Sequence, residues 1–410
     1  MGTLRRYPGF RAVWTGQLLS QFGNAVFLVM GLWEIQLRSP QLLAGAGLAM
    51  MLPQVLALAG GVLVDRHGPG RLMLYTDIAR GVAVLAGLAA LALPGGLIPA
   101  VIALLAVNSL GSALFAPAES TLIPLLVRTE DLSAANGVYS LTSQISSAVG
   151  SAIGGAAISA VGVALVFGVD MGSFWLSALA IALMLRTLAP RRRAGAPAST
   201  GAQPQGFADS LREGMAVLRR LPIVMTLLPL IVVGNFAFMV AFTMLPYWIH
   251  HTLQAGSAAY GLIDAAWAVG LVGGGLSVGA LGKLSLRQTS AIAFGLQGLA
   301  TLIFAASASS WLSGGLLLVA GFGNGVGNAL LLTMLQRLVP EAARGRVFGL
   351  MVTLFSLANP FGAFAAGVLL NVVPLYVPWL AAGIWGIAFG VGLWRAVPDD
   401  MTPYEGAMAQ

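Results

Sequence analysis

Long apolar stretches follow one another along this chain, and its cations fall in every second gap between them. Runs of about 20 apolar residues are long enough to cross a bilayer as helices. Twelve are found, at 12–37, 42–64, 72–93, 98–126, 134–160, 163–187, 222–249, 258–281, 288–308, 311–336, 347–372 and 375–395. A helix satisfies its own backbone donors and acceptors in lipid, and these runs lack the polar–apolar alternation of barrel strands. The cations then set the orientation, because retained loops carry the Lys and Arg excess. Arg5, Arg6 and Arg11 precede helix 1, Arg66 and Arg71 follow helix 2, and Arg128 follows helix 4. Arg186, Arg191, Arg192, Arg193, Arg212, Arg219 and Arg220 lie around the gap between helices 6 and 7, Lys283 and Arg287 after helix 8, Arg337, Arg344 and Arg346 after helix 10, and Arg395 at the last end. Only Arg38 falls in an outside loop, while Arg80 lies near the cytoplasmic end of helix 3. Both termini are therefore expected in the cytoplasm.

With 9% charged residues and a mean hydropathy of +0.88, the chain is no ordinary soluble globule. Its pI of about 10.4 reflects topology and not a concentrated basic face, so nucleic acid is not an expected partner. Zero Cys removes disulfides, thiolate metal sites and a Cys nucleophile. The three histidines, His67, His250 and His251, show no metal-site spacing, and no metal or cofactor is expected. No clustered nucleophile, base and acid appear, which argues against an enzyme. No cleavable leader is read before helix 1. The 53 Gly, in runs such as Gly270, Gly273, Gly274, Gly275 and Gly279 or Gly321, Gly323, Gly325 and Gly327, predict close helix–helix approach.

Residues 189–221 change character, with an arginine triplet, then Ala, Gly, Pro, Ser and Gln, then Phe207 to Arg220. Phe207, Leu211 and Leu218 share a stripe that fits either an interfacial amphipathic helix or a solvated linker helix. The chain is thus divided into an N-terminal six-helix bundle at 1–188, a cytoplasmic linker at 189–221, a C-terminal six-helix bundle at 222–396 and a cytoplasmic tail at 397–410. Val138-Tyr139-Ser140-Leu141 resembles Val347-Phe348-Gly349-Leu350, and Gly61-Val62-Leu63-Val64-Asp65 has an echo in Gly279-Ala280-Leu281-Gly282-Lys283. Two related halves follow.

Gly61-Val62-Leu63-Val64-Asp65-Arg66 with His67-Gly68-Pro69-Gly70-Arg71 resembles the loop 2–3 signature of the major facilitator superfamily. Phe115-Ala116-Pro117-Ala118, Ile123 to Val127, Leu132 to Asn136, Val169 to Phe174, Asp77 with Arg80, and Gln336 to Pro340 with Arg344 to Gly349 are similar to its drug:proton antiporter branch of macrolide-efflux-like and enterobactin-exporter-like proteins. Gly150, Ser151, Gly154 and Gly155 resemble the helix 5 element of exporters, with Ser151 where Pro is usual. Asn24 stands where many members of the branch have Asp, and helix 4 has no Arg in its body. The resemblance implies an all-α membrane protein, twelve helices in two pseudo-symmetric bundles, in a bacterial cytoplasmic (inner) membrane. It also implies a cytoplasmic gate around Gly61, Asp65, Arg66, Arg71, Asp77 and Arg80, the last two paired.

In that superfamily helices 1, 4, 7 and 10 line a central cavity. Here they offer Gln17, Gln21 and Asn24, then Asn108, Ser112, Phe115 and Glu119, then Asn235, Met239 and Phe242, then Asn324 and Asn328. Amides, Met and aromatics suit an amphipathic ligand; the bland alternative is interhelical amide bonding worth about 0.6 kcal/mol each. Acids inside the membrane cost about 2.5–3.5 kcal/mol at mid-span and are functional suspects. Glu34 is open to either an ion pair with Arg38 or a protonation role, Asp264 has no cation in its helix, and Asp170 fits a structural hydrogen bond on helix 6. Asp264, Glu34 and Asp170 are thus the proton-coupling candidates. The expected function is export of a small amphipathic compound, drug-like, macrolide-like or siderophore-like, by alternating access with proton antiport, as a monomer. The alternatives are a lipid or lysolipid flippase of the same fold and a non-transporting receptor.

Overall fold

The computed structural model describes residues 2–56, 60–188, 215–216, 218–219, 222–281, 285–339, 347, 351, 361–370 and 372–397. All its regular elements are helical. In chain order they are α1 (Pro8–Arg38), α2 in the pieces Leu43–Leu56 and Gly60–His67, α3 (Pro69–Ala90), α4 (Leu97–Leu126), α5 (Leu132–Val161) and α6 (Val163–Leu188). Then come α7 (Pro222–Thr243, continued by Leu245–His251), α8 (Ser257–Ser277), α9 (Leu286–Phe304), α10 (Ser310–Leu338), α11 (described over 361–369) and α12 (Tyr376–Ala396). Among the described residues nine helices are long and apolar enough to cross a membrane. Of the three other expected spans, α2 and α11 contain undescribed residues and α9 is a helix of 19 residues. The proposed linker helix, apart from Met215, Ala216, Leu218 and Arg219, and the tail beyond Val397 lie outside the described residues, as does most of Arg344 to Gly349.

Local chemistry explains the helix ends better than charge does. The second span was expected to stop before Asp65, yet the helix runs on to His67 and breaks at Gly68, whose φ of +78° suits glycine, before Pro69 opens α3. Ser285 and Gln288 form a reciprocal capping box that starts α9 two residues ahead of the expected 288. Expected helix 7 divides at Met244, where Pro246 brings no backbone donor to the following turn.

The chain forms two compact units. The first joins 1–196 with 245–265 and 363–368. In it α1 packs on α5 and α6, α3 on α4 and α6, and α2 on α4, around Val13, Met73, Phe115, Leu122, Ile181 and Met184. The second joins 197–244, 266–362 and 369–410. There α9 packs on α10 and α12, and α7 on α12, around Leu227, Phe294, Met334, Phe389 and Leu393. Large apolar side chains such as Leu165, Leu176, Leu179 and Leu183 on α6 remain exposed, an arrangement that only a hydrocarbon solvent tolerates over a whole helix face.

The expected glycine contacts are selective. A Cβ on Gly270 or Gly274 of α8 would strike the α10 backbone at Leu318 or Phe322, and one on Gly321 or Gly325 would strike α8 at Trp267 or Leu271. Among the described residues Gly275 and Gly279 meet nothing within 4 Å.

Candidate functional site

The first unit carries an open cavity of about 490 Å³. From α1 come Gln17, Gln21 and Asn24, from α4 Ser112, Phe115 and Glu119, which share faces by helical spacing and which the family resemblance implied would line a cavity. Gln21 Nε2 donates to the Tyr139 hydroxyl at 3.2 Å, and that hydroxyl donates to Gln17 Oε1 at 3.4 Å and also bonds Glu119. Tyr139, Ser143, Gln144 and Ser147 form a third wall from α5 that sequence reasoning missed. Its signal was present, since Tyr139, Ser143 and Ser147 recur at helical spacing.

Arg80 also lines this cavity, and Asp77 lies beside it. Both were expected at the cytoplasmic gate. Instead they are buried among α3, α4 and α6, because Arg80 is eleven residues into α3 and a helix rises about 1.5 Å per residue. Arg80 Nη2 donates to Asn108 O and Ser112 Oγ, both at 2.9 Å, and Nη1 stands 3.8 Å from Asp77 Oδ1. Ser177 Oγ donates to Asp77 Oδ2 at 2.6 Å and accepts from Gln17 Nε2 at 3.5 Å. The guanidinium lies directly over Gly111, where a Cβ would collide with Nε. Asn108, expected in the cavity, does not line it; Nδ2 turns to Asp170 Oδ2 at 3.5 Å. The other Asp170 oxygen is buried without a hydrogen bond among the described residues.

The second unit holds a smaller cavity of about 140 Å³. Asn235, Asn324 and Asn328 line it as expected, whereas Met239 and Phe242 do not. Met239 packs against Gly362, and Phe242 sits among Phe238, Trp267 and Trp379 with ring centroids 4.9–5.7 Å away. Gln297 of α9 and Trp385 of α12 join the lining. Neither was expected, since those helices were assigned no lining role.

The remaining candidates are distributed through the first unit. Glu34 pairs with Arg38 at 2.8 Å, the ion-pair alternative of the two considered. Asp264 hydrogen-bonds Ser151 and neighbours Tyr260. Around that bond the exporter-type element seats two helices: Gly150 and Gly154 admit the α1 backbone at Phe22 and Val26, and Gly155 admits α8 at Ser257 and Gly261. Trp33 stacks on Tyr260 with centroids 6.0 Å apart. Of the gate residues, Arg66 and Arg71 are exposed, Gly61 is helical, and the Asp65 side chain lies outside the described residues.

Nine span-length apolar helices among the described residues, with polar-lined cavities between them, fit the class of multi-span membrane transporters. The profile of the Major Facilitator Superfamily matches residues 13–290 and 227–407, and the chain belongs to that family. It is 28% identical over 403 residues to the multidrug efflux pump Tap of Mycobacterium tuberculosis, covering 94% of this chain and 92% of that one. It is 27% identical over 376 residues to macrolide efflux protein A of Streptococcus pyogenes, covering 86% and 87%. Among solved structures, a bacterial homologue of the iron transporter ferroportin in an inward-facing state has a TM-score of 0.72 at 18% identity, over 95% of this chain and 99% of that one. The D-xylose-proton symporter gives 0.67 at 16% identity, over 95% and 97%. At such identities the likeness shows the fold.

Proposed function

We propose that the protein exports a small amphipathic compound across the cytoplasmic membrane by alternating access, with both termini in the cytoplasm and inward proton movement as the drive. The observation that carries the reading is the cavity of about 490 Å³ in the first unit, where amides, hydroxyls, Phe115 and the carboxyl of Glu119 surround one space. Apolar contact with a few oriented polar groups is what an amphipathic ligand needs. Export is supported by relatives named as efflux proteins that align over most of this chain. Coupling is assigned to Asp264 and Asp170, one bonded to Ser151 and the other buried with an unpaired oxygen.

The test is transport of a fluorescent amphipathic dye in proteoliposomes, with internal pH recorded together with dye movement. The wild-type protein is expected to move dye and protons in opposite directions, while Asp264→Asn and Asp170→Asn keep dye exchange but lose the proton signal. Dye accumulation that survives collapse of the gradient would remove antiport. Headgroup-dependent lipid movement without dye transport would replace export with flipping.

A further inference from the structure

We propose that the second unit carries a binding site of its own for a neutral planar ring bearing a hydrogen-bond-accepting oxygen, held by the Gln297 carboxamide. Three features of the 140 Å³ cavity point to this ligand. The first is an amide chain with a direction. Asn328 Nδ2 donates to Asn324 Oδ1 at 2.7 Å, and Asn324 Nδ2 donates to Gln297 Oε1 at 3.1 Å. The chain ends at Gln297 Nε2, which is buried and has no hydrogen-bond partner among the described residues, in a residue with 0% exposure. A buried donor left without an acceptor is destabilising, so an arriving carbonyl or ether oxygen gains what the protein leaves unused.

The second feature is a fixed aromatic wall. Trp385 stacks on Phe389 with centroids 5.0 Å apart at 12°, and Phe294 meets Phe389 edge-on at 4.7 Å. The indole is fastened by its Nε1 donating to Leu230 O at 2.7 Å, and it occupies space that a Cβ on Gly234 would take. A wall already held in place loses little side-chain freedom when a ring stacks on it.

The third feature is what the lining lacks. Among the described residues no ionisable side chain lines this cavity, so none of them offsets the desolvation of a charged ligand. Its volume is close to that of an engineered apolar cavity of about 150 Å³ that accepts benzene, which sets the size at one ring. The site thus discriminates by a single acceptor and one ring face. Only in taking that ring for part of the exported compound does this rest on the function proposed above.

Binding can be read without transport. Full-length protein in lipid nanodiscs is titrated with 4-fluoroacetophenone, a ring with a carbonyl, and with 4-fluorocumene, its oxygen-free shape analogue, following fluorine NMR line broadening against empty nanodiscs. The wild-type protein is expected to prefer the ketone, and Gln297→Leu to weaken the ketone about tenfold, the worth of one hydrogen bond to a buried donor, while leaving the cumene unchanged. Ile231→Phe, which fills the cavity and keeps every amide, is expected to lose both probes. Thermal melts of both variants establish that they are folded. A ketone affinity unchanged in folded Gln297→Leu, equal loss of both probes in that variant, or no broadening beyond empty nanodiscs would each overturn the site. Because no gradient or dye is involved, failure of export leaves this result standing, and failure here leaves export standing.

Discussion

Arg80 brings a guanidinium into the interior of a helix bundle, and its neighbours determine what its loss would do. It is 3% exposed, close to Asp77 at 0%, and cradled over Gly111. Removing one partner of a buried ion pair costs about 3–5 kcal/mol because the other charge is stranded, whereas replacing both by neutral groups is often harmless. Arg80→Ala is therefore expected to lower the thermal midpoint of the purified protein sharply, and Arg80→Met combined with Asp77→Asn to recover much of it. An unchanged midpoint in Arg80→Ala would mean that the pair is not what holds these helices. Helical spacing made Asp77 and Arg80 legible as neighbours and identified Ser112, Phe115 and Glu119 as one face. It could not bring Asp170 or Ser177 to them, since periodicity within a helix carries no information about which other helix lies alongside. Gln297 escaped for a related reason: one amide in an apolar span becomes informative only when Asn324 is seen against it.

At the scale of the elements, close approach is decided by the register of the glycines rather than their number. Gly270 and Gly274 of α8 and Gly321 and Gly325 of α10 face each other's backbones, while Gly275 and Gly279 face open space. Gly274→Leu is expected to force α8 and α10 apart and to reduce the yield of monodisperse protein severely. Gly275→Ala is expected to leave yield and midpoint unchanged or slightly improved, since Ala favours a helix over Gly by about 0.8–1.0 kcal/mol. Equal behaviour of the two variants in size-exclusion chromatography would contradict the crossing. The glycine-rich composition made close packing legible; which glycine matters depends on the rotation of each helix about its axis. Helix boundaries were legible within a few residues, and the misses at His67 and Met244 arose where a Gly-Pro or a Pro, not a charge, ends the helix.

For the whole molecule, the length of the apolar runs and the placement of the arginines made a helical membrane protein legible in the sequence. The composition of the compact units was not, because the first gathers 245–265 and 363–368 with 1–196 across a large sequence separation. Within that unit Trp33 stacks on Tyr260, and Gly155 receives Gly261. These contacts join residues of the two expected six-helix bundles, so the proposed alternating access predicts that they part in each cycle. The chain contains no Cys, so Trp33→Cys with Tyr260→Cys can be introduced on a silent background. Joining the two with a short cleavable bis-maleimide is expected to stop dye transport, and cleavage to restore it. Full transport in the bridged protein would show that this stack is not a moving contact.

A different contact in the same unit supplies a fixed reference. Arg6 Nη1 meets Asp131 Oδ2 at 3.0 Å, and the Tyr7 hydroxyl donates to the same oxygen at 2.7 Å, raising the Tyr7 phenol above its usual range. Arg6 and Asp131 are 125 residues apart in the chain, yet the clasp ties the start of α1 to the turn before α5. Spectroscopic probes on either side of it, at Thr3 and Arg128, should report one unvarying separation throughout turnover. They would act as an internal ruler against which every longer, changing distance in the transporter can be calibrated.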